Sequence, residues 1–448
     1  MSEHAYRYGA GSRLDVDGSD VRLVLATSGG VDRTGPAVAP RFFSGFLGHP
    51  VQSAACLLAV ARVARTRFYT PPNVTAAIIR AADPVVTSNG DRLRFESFSA
   101  CCGVHARFDA LPGTLDGPAI GVGTTNVDFN PPMREALGRV QGLDPIHLDV
   151  GTDDVTVTTL DGTVVEDKVP LPDRWLKGFA EVEVATAEML PVLDVGATEA
   201  RRFLAGIARS PSFGSTHVVE MGGRLRRTTR SGPSAVPLPG PQRLGPFEPL
   251  LQHARGLRAY AAPGSDASTW ELVLDDARLV LTVSPDVRRG FSGEGGILTD
   301  LADDSAAVDA ELLAELLGWE PRIEVDDLAA RTGIDRDRVR RALRHLGAAG
   351  RVGFDVSEGA HFHRELPFAP DALAKMHPRL RGAQRIVDAG GVELHPNGSA
   401  HVTSAATIYA VRRVDGDWRC TCRWWGKFQS SRGPCKHVLA VEEVMRRG

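Results

Sequence analysis

The sequence has no long apolar run. Its longest apolar-rich stretch, residues 54–64, is interrupted by Arg62 and is too short to cross a bilayer. The residues that follow Met1 do not form a basic cluster with an apolar segment behind it, which is the pattern of an export signal. These absences exclude a membrane-spanning segment of the usual kind, and we expect a cytoplasmic protein with no membrane partner.

Cysteine is scarce, with six residues in 448. A chain of this length without an export signal does not depend on a disulfide framework, because cytosolic thiols are kept reduced. Three of the six cysteines fall between residues 420 and 435, and that clustering calls for a chemical explanation. We interpret the other three, Cys56, Cys101 and Cys102, as small buried apolar side chains.

Lysine is rare as well, since only five of the 52 basic residues are lysines. Such a bias towards arginine makes an arginine-rich segment weaker evidence for phosphate binding than it would be elsewhere. The formal net charge of −3 provides no overall attraction to nucleic acid. Any nucleic-acid contact must therefore come from a local surface.

Length and composition predict a multidomain α+β protein. At roughly 150 residues per domain the chain has room for about three domains, and 43% hydrophobic residues can supply each with a core. Short strand and helix patterns fill the first half, and a stretch rich in Arg, Ser, Pro and Gly follows at 224–246, which we interpret as a linker or a long surface loop. We predict an N-terminal α+β domain of unknown function at 1–210, a linker and small α+β segment at 211–303, a winged-helix-like domain at 304–368, and a zinc-stabilised β-hairpin plus helix at 376–448.

The winged-helix prediction rests on the order helix, helix, turn, helix, hairpin between residues 304 and 366. Asp335 caps the last of these helices, the one that would read DNA. The acidic start of that helix, Asp335 and Asp337, weighs against DNA contact, and winged helices also dock proteins. Both alternatives stay open for its exposed cations, Arg336, Arg340, Arg341 and Arg344.

The cysteine cluster has the spacing of a zinc site. Zinc takes four soft or borderline ligands in a tetrahedron, most simply as two close pairs joined by a turn. Cys420 and Cys422 flank one residue, and in an extended strand they face the same side. Cys435 and His437 also flank one residue, and the preceding Gly-Pro suits the entrance of a helix.

Four protein ligands close the coordination shell, so we expect one structural Zn²⁺ and no catalytic one. The alternative, three buried cysteines and an incidental histidine, is disfavoured because paired ligand-type residues rarely arise by chance. Three thiolates and a neutral imidazole leave the site near −1. The nearby cations Arg419, Arg423, Lys427 and Lys436 offset that charge.

The pattern C-x-C, variable loop, C-x-H resembles the SWIM-type zinc finger, and all four ligand positions match. The whole chain also resembles a bacterial family of SWIM zinc finger proteins, through the segments 123–130 (GTTNVDFN), 175–179 (WLKGF) and 290–295 (GFSGEG). That resemblance implies a neighbourhood with MoxR-type AAA+ ATPases and von Willebrand factor A proteins. SWIM modules elsewhere serve DNA or protein binding, which the resemblance implies for this one too.

The segment between the two ligand pairs combines aromatic and cationic side chains: Trp424, Trp425, Lys427, Phe428 and Arg432. Aromatic rings interleaved with cations can stack on bases while the cations contact phosphate. Residues 378–448 also carry twelve Arg and Lys against six Asp and Glu. The alternative is that these rings form the core of a small module, and the sequence favours neither.

Evidence for an enzyme is slight. The segment 121–126 has the glycines of a phosphate-binding loop but lacks its Gly-Lys-Ser/Thr end, so a tight turn is the better interpretation. Cys101, Cys102 and His105 would make a thiol dyad, but nothing near them in sequence orients the histidine. We expect a non-enzymatic scaffold that binds nucleic acid or protein, within a complex that contains an AAA+ ATPase. The alternative is an enzyme whose N-terminal domain is addressed to its substrate by the finger.

Overall fold

The computed structural model describes residues 13–17, 20–24, 31–32, 35–36, 41–69, 84–117, 121–208, 215–298, 304–366, 377–429 and 431–447. Apart from residue 304, every predicted domain limit lies outside these ranges. The described residues mix helices with several sheets, as the α+β multidomain prediction requires. No described helix combines the length and apolarity needed to cross a membrane.

The regular elements of the described residues are numbered here in chain order. The helices are α1 (Pro50–Arg65), α2 (Pro131–Arg139), α3 (Asp173–Thr186), α4 (Ala197–Ala208), α5 (Asp304–Leu316), α6 (Val325–Thr332), α7 (Arg336–Ala348), α8 (Pro378–Asp388), α9 (Arg423–Phe428) and α10 (Lys436–Arg447). Short 3-10 segments occupy Pro112–Thr114, Pro241–His253 and Phe291–Gly293. The strands are β1 (Arg13–Asp17), β2 (Asp20–Val24), β3 (Val31–Asp32), β4 (Gly35–Pro36), β5 (Arg41–Leu47), β6 (Val85–Ser88), β7 (Leu93–Phe98), β8 (Val104–Ala110), β9 (Leu115–Asp116), β10 (Gly123–Asn126), β11 (His147–Gly151), β12 (Asp154–Thr159), β13 (Gly162–Asp167), β14 (Leu190–Gly196), β15 (Ser215–Met221), β16 (Arg224–Thr228), β17 (Val236–Pro239), β18 (Gly256–Ala261), β19 (Ser268–Leu274), β20 (Ala277–Val283), β21 (Val352–Asp355), β22 (Ala360–His363), β23 (Val392–Leu394), β24 (Ala400–Ser404), β25 (Thr407–Val414) and β26 (Asp417–Cys420).

An eight-stranded antiparallel sheet forms the centre of the molecule, in the order β10-β6-β7-β8-β20-β19-β18-β14. Strand β8 pairs with β20 along seven residues, so two segments that are far apart in sequence form one ladder. The predicted boundary near residue 210 thus falls between strands of one sheet. A second sheet, in the order β13-β12-β11-β5-β9, contributes to the same apolar core.

The two faces of the central sheet differ in chemistry, because side chains alternate along each strand. One face carries apolar residues such as Phe95 and Phe108, and it packs in a core that includes α1 and α4. The opposite face carries Arg94, Arg107 and Arg278 on three adjacent strands, and all three arginines are buried. Asp109 on the same face lies within 3.8 Å of all three arginines, so it neutralises their charge only in part.

The segment 224–246, predicted as a linker, takes part in the fold instead. It contains β16 and β17, which pair with β15 on either side. Pro237 and Pro239 lie in β17, and that strand is at the edge of its sheet, where a missing N–H is tolerated. Arg243, which follows, is completely buried. Composition indicates where regular ladders are disfavoured, and it does not exclude an edge strand.

Residues 304–366 form a unit with its own core, built around Leu313, Leu343 and Val352. Its elements are α5, α6, α7 and the hairpin β21–β22, the order that the winged-helix interpretation uses. Gly333 ends α6 in the left-handed region at φ 69°, and the Asp335 side chain accepts a 2.9 Å hydrogen bond from the N–H of Asp337 to cap α7.

The hairpin of this unit supplies the partner for the polar sheet face. The Asp355 carboxylate lies 2.7 Å from Arg107 Nη2 and 3.4 Å from Arg94 Nη2, and it also contacts Arg278. The ring of Phe362 covers Arg94, whose guanidinium carbon is 4.0 Å from the ring centroid. The unit is thus held on the sheet by buried ion pairs and a cation–π contact.

The C-terminal part consists of α8, the antiparallel sheet β23-β24-β25-β26, the short helix α9 and α10. Its small apolar core includes Ile386, Val402, Val411, Leu439 and Val441. Helices α8 and α10 pack against each other and against the sheet.

Candidate metal centre

Four predicted ligands from two separate stretches of chain come together in the C-terminal module. Cys420 ends β26 and Cys422 follows it, while Cys435 precedes α10 and His437 lies in its first turn. Their ligand atoms all lie within 4.8 Å of one another, and all four residues are buried. The sheet and the helix entrance thus position the two pairs as the spacing predicts.

The donor set fits zinc. Cys420 Sγ lies 3.6 Å from His437 Nδ1. A tetrahedron with the usual Zn–S and Zn–N bond lengths has an S···N edge of about 3.6 Å. The His437 ring stacks on Tyr409 with centroids 4.1 Å apart, and its Nε2 makes no hydrogen bond to the described residues. The stacking holds the ring with Nδ1 directed at the sulfurs.

The contacts within the cluster act differently on the three thiols, because the hydrogen bond with Cys435 raises the pKa of Cys420 and burial raises the pKa of Cys422. A hydrogen bond from Cys420 is the main cause that lowers the pKa of Cys435. The N–H of Trp425 points at Cys422 Sγ from 3.4 Å, which stabilises negative charge on that sulfur. Thiolate, and not thiol, is the zinc ligand, so binding of the metal must displace the protons that Cys420 and Cys422 retain.

The segment after Cys422 forms the helical turn α9, where the sequence suggested only a loop. The Cys422 sulfur acts as its N-cap, because it accepts from the N–H of Trp425. Trp425 Nε1 donates a 3.1 Å hydrogen bond to the Trp418 carbonyl, and its ring packs against the module's core. Trp425 therefore has a structural position, in line with the core alternative for this ring.

Trp424 has a different environment. Its ring lies 4.5 Å from Phe428, and the guanidinium carbons of Arg379 and Arg432 lie 4.3 and 5.4 Å from it. Trp424 is half-buried, Phe428 is half-buried, and Lys427 is exposed. The aromatic and cationic side chains of this segment thus contact each other. Part of the Trp424 side chain also lines a cavity.

That cavity has a volume of about 650 Å³ and opens beside the zinc ligands. No carboxylate is found among its described lining residues. Besides Cys422, Cys435 and His437, these are Arg379, Thr407, Tyr409, Thr421, Arg423, Trp424 and Lys436. The lining combines cations, hydroxyls and aromatic rings. The sequence did not predict that Arg379 and Tyr409 line this cavity. Only the tertiary packing of α8 and β25 places them beside the zinc ligands.

The arginines of α7, predicted as alternative nucleic-acid contacts, are elsewhere and are partly neutralised. Ion pairs join Arg336 to Asp326, Arg340 to Asp337 and Arg344 to Glu188. Arg341 is half-buried on the same helix. Helix α7 also packs against α3. DNA contact by these residues stays a prediction, and the structure does not bring them to the cavity beside the zinc ligands.

The finger is attached to the rest of the molecule through the segment 290–296. Arg379 donates to the carbonyls of Arg432, Pro434 and Glu294, at 2.6, 2.9 and 3.0 Å. A Cβ at Gly433 would lie 1.9 Å from the Gly295 oxygen, so only glycine allows this approach. The glycine-rich segment 290–295, which carried part of the family resemblance, is therefore the surface on which the finger packs.

Glu181 contacts the end of this segment, and we predict that its protonation makes the stability of the folded chain depend on pH. Its Oε2 accepts a 3.0 Å hydrogen bond from the N–H of Gly296. Burial raises its pKa to about 8, so the folded chain binds a proton more tightly than the unfolded chain does. Stability should therefore fall as pH rises from about 4.5 to 8, by at most about 5 kcal/mol, and then level off.

A Glu181→Gln variant should remove most of this fall and should be the more stable protein at pH 9. Thermal unfolding of the full chain at pH 6 and pH 9 measures both effects. Glu188→Gln is the matched control, because that carboxylate follows the same helix but is 65% exposed. Equal pH dependence of Glu181→Gln and the wild type would contradict the prediction.

Comparison with known proteins gives one local family match and a set of distant structural matches. Crystal structures of proliferating cellular nuclear antigen from Entamoeba histolytica and of the PCNA2–PCNA3 complex from Sulfolobus tokodaii are similar at 8% and 9% identity. Each match covers 55% of this chain, with 98% and 100% of those chains and TM-scores of 0.36 and 0.40. Scores this low support no conclusion about this chain. No curated protein matches it significantly.

The local match is informative, because it falls on the residues that build the cluster. The model of the SWIM zinc finger family matches residues 409–445. That range begins at Tyr409, which stacks on the ligand histidine, and contains all four ligands. The match and the geometry agree on the same four side chains. The chain thus carries a SWIM zinc finger at residues 409–445, with the ligands Cys420, Cys422, Cys435 and His437 in place to bind zinc.

Proposed function

We propose that this protein is a non-enzymatic interaction protein that holds one structural zinc ion and binds single-stranded nucleic acid with its finger. The observation that carries the proposal is the cavity beside the zinc ligands. Phosphate and base are the two chemistries that its lining suits: Arg423 and Lys436 for the charge, Trp424 for stacking. A zinc held by four protein ligands has no open position for a reacting water, so the ion supports the surface.

The cations of the finger are more available than those of α7. Arg412, Arg423, Lys427 and Lys436 form no ion pair with a carboxylate of the described residues, whereas Arg419 pairs with Asp415 at 3.7 Å. Arginines already paired with carboxylates must lose those partners before they bind phosphate. The contrast with α7 favours the finger as the nucleic-acid surface. The positive charge of these finger cations is larger than the charge of about −1 that the zinc site contributes.

The enzyme alternative has weaker support. A cavity within the N-terminal part, lined by Ser88, Asp91 and Arg92 among others, measures about 220 Å³. Substrate sites are usually larger, at about 300 to 1,000 Å³. A cavity of about 700 Å³ borders β14 and β18, but His217 and Asp266 are the titratable side chains of its described lining, which is mostly Pro, Gly, Ala and Ser. Asp91 and Arg92 also form an ion pair with each other, and Arg92 contacts Glu358 of the hairpin. These groups hold the 304–366 unit and do not converge on a free space.

The decisive variant is Arg423→Glu, which should weaken binding of a labelled single-stranded oligonucleotide about tenfold at low salt. The reversed charge loses a phosphate contact and repels its neighbour. Titrations of the zinc-loaded full chain at two salt concentrations should also show a smaller salt dependence for the variant, by roughly one unit or more of slope. Duplex DNA of the same sequence should bind more weakly, because its bases are not available for stacking.

Arg226→Glu is the matched control. Arg226 is exposed on β16, away from the finger, and its substitution changes the net charge of the chain equally. Zinc content is measured on every variant, because Arg423 is adjacent to a ligand. Undetectable binding of the wild type at low salt would rule the function out. Equal losses in both variants would show that only net charge matters.

A second candidate is protein docking through the same face, which the half-buried Trp424 favours as an anchor. In that case the partner is a protein, and the family resemblance implies a MoxR-type AAA+ ATPase or a von Willebrand factor A protein. Affinity capture from the native cytoplasm, with and without nuclease, separates the two candidates. A partner that resists nuclease and is lost in Arg423→Glu would replace nucleic acid by protein.

A further inference from the structure

The turn between β7 and β8 places a cysteine at one end of the central sheet. Cys101 is partly exposed, and its Sγ lies 3.5 Å from Ser99 Oγ. Ser99 Oγ also accepts the N–H groups of Gly103 and Val104, at 3.1 and 3.0 Å, which fixes the turn. The thiol is therefore held in one place within reach of solvent, unlike most structural cysteines.

A buried arginine without a carboxylate lies beside this turn. Arg243 is completely buried and has no described carboxylate within ion-pair distance, although it interacts electrostatically with Cys101 first and then with the Asp286 carboxylate. Its guanidinium donates to the carbonyls of Ser284, Pro239 and Asp286, at 2.7, 3.1 and 3.3 Å, and to the Ser284 hydroxyl at 2.5 Å, while its Nε has no hydrogen-bond partner among the described residues. Carbonyl oxygens solvate a cation but do not cancel its charge. A buried charge of this kind calls for an anion nearby.

The group in position to supply that anion is Cys101. The point that a Cβ at Gly103 would occupy lies 2.9 Å from Arg243 Nη2 and 3.4 Å from Cys101 Sγ. The glycine thus leaves open the space between the cation and the sulfur. The hydrogen bonds of the described residues do not join the two groups, so their interaction across this open space is electrostatic only.

The other cysteines outside the finger provide an internal comparison. Burial raises the pKa of Cys102 to about 11, although it is the very next residue, and burial also raises that of Cys56. Burial acts against ionisation of Cys101 too, but the Ser99 hydroxyl and the N–H groups of Gly103, Tyr69 and Phe68 outweigh it and lower its pKa. Environment, and not sequence neighbourhood, separates the two adjacent thiols.

We propose that Cys101 is a covalent modification site: a thiolate paired with Arg243 that reacts with small electrophiles, hydrogen peroxide first among them. In that reaction the sulfur attacks one peroxide oxygen, an S–O bond forms and the O–O bond breaks. The departing hydroxide takes a proton from solvent. The sulfur loses two electrons to the peroxide and becomes a sulfenic acid, and Arg243 remains to stabilise its anion.

Iodoacetamide labelling of the folded, zinc-loaded chain tests the site, with each cysteine followed by mass spectrometry across pH 6 to 9.5. A free thiol is about 1% thiolate at pH 6.5. We expect Cys101 to be labelled at least about fivefold faster than free N-acetylcysteine at that pH. Cys102 and Cys56 should stay unlabelled. Brief treatment with hydrogen peroxide should yield a dimedone adduct at Cys101, and Cys101→Ser should abolish it.

Two variants examine the role of the cation. Arg243→Gln should move the pH profile of Cys101 labelling upwards, towards that of the free thiol. If this variant does not fold, Ser99→Ala should produce a smaller shift in the same direction. A wild-type profile equal to that of the free thiol would overturn the proposal. So would labelling of Cys101 that requires denaturant.

Discussion

Replacing Cys435 with serine should abolish zinc binding and unfold the C-terminal module, residues 377–447, while the central sheet stays folded. A structural zinc ion contributes about 10 to 16 kcal/mol of apparent binding free energy. The apolar core of this module is too small to compensate for such a loss. Cys420, Cys422 and His437 would be left as three ligands with one open position. The loss of zinc and the unfolding of the module should therefore be close to complete.

Elemental analysis checks the first part, with one zinc per wild-type chain and little in Cys435→Ser. Hydrogen exchange followed by mass spectrometry checks the second, because protection should be lost in β24, β25 and α10 but kept in β8 and β20. Cys56→Ser is the control, since that cysteine is buried in α1 and should leave the zinc content unchanged. Full zinc occupancy of Cys435→Ser would contradict the assignment of this ligand.

Replacing Asp355 with alanine should release the 304–366 unit from the central sheet. Asp355 is 1% exposed and contacts three buried arginines, so its loss leaves them with Asp109 as their main carboxylate. Removal of one partner from a buried ion pair costs about 3 to 5 kcal/mol. The arginines hold the pKa of Asp355 well below its usual range, so its contribution is complete above about pH 4 and is lost on acidification.

Limited proteolysis and hydrogen exchange of the full chain measure this release. Amide protection should fall in β21 and β22 and in the parts of β7 and β8 that the unit covers. The core of the unit itself, around Leu313 and Leu343, should stay protected. Asp326→Ala is the control, because its side chain is 62% exposed and pairs with Arg336 on the surface. We expect little change there. Equal protection in Asp355→Ala and the wild type would show that the ion pairs do not hold the unit.

The metal centre was predictable from sequence because its chemistry is local. Two pairs of ligands, each spaced by one residue, need only a strand end and a helix entrance to converge. The arrangement of the aromatic residues was less accessible. Trp424 and Trp425 are adjacent and chemically identical, and both pack against the core, yet only Trp424 also lines the cavity. Their separation depends on α9, whose N-cap is a ligand sulfur, and a propensity argument does not consider sulfur in that role.

The prediction of a linker at 224–246 failed for a related reason. Proline and glycine weaken a strand in the middle of a sheet, but β17 is at an edge and its prolines need no partner there. The same segment contains Arg243. This residue is buried beside Cys101, although more than a hundred residues separate the two in sequence. Composition contains no information about such contacts.

Sequence alone determined the identity and spacing of the zinc ligands, the α+β class and the order of elements in the 304–366 unit, because each follows from residues within a few turns of one another. Tertiary structure decided the rest. It joined β8 to β20 in one sheet, set Asp355 among arginines from three strands, placed Arg379 against the finger and brought Arg243 to Cys101. These contacts arise where distant segments bury apolar area together, and the charges carried along must then find partners inside the fold.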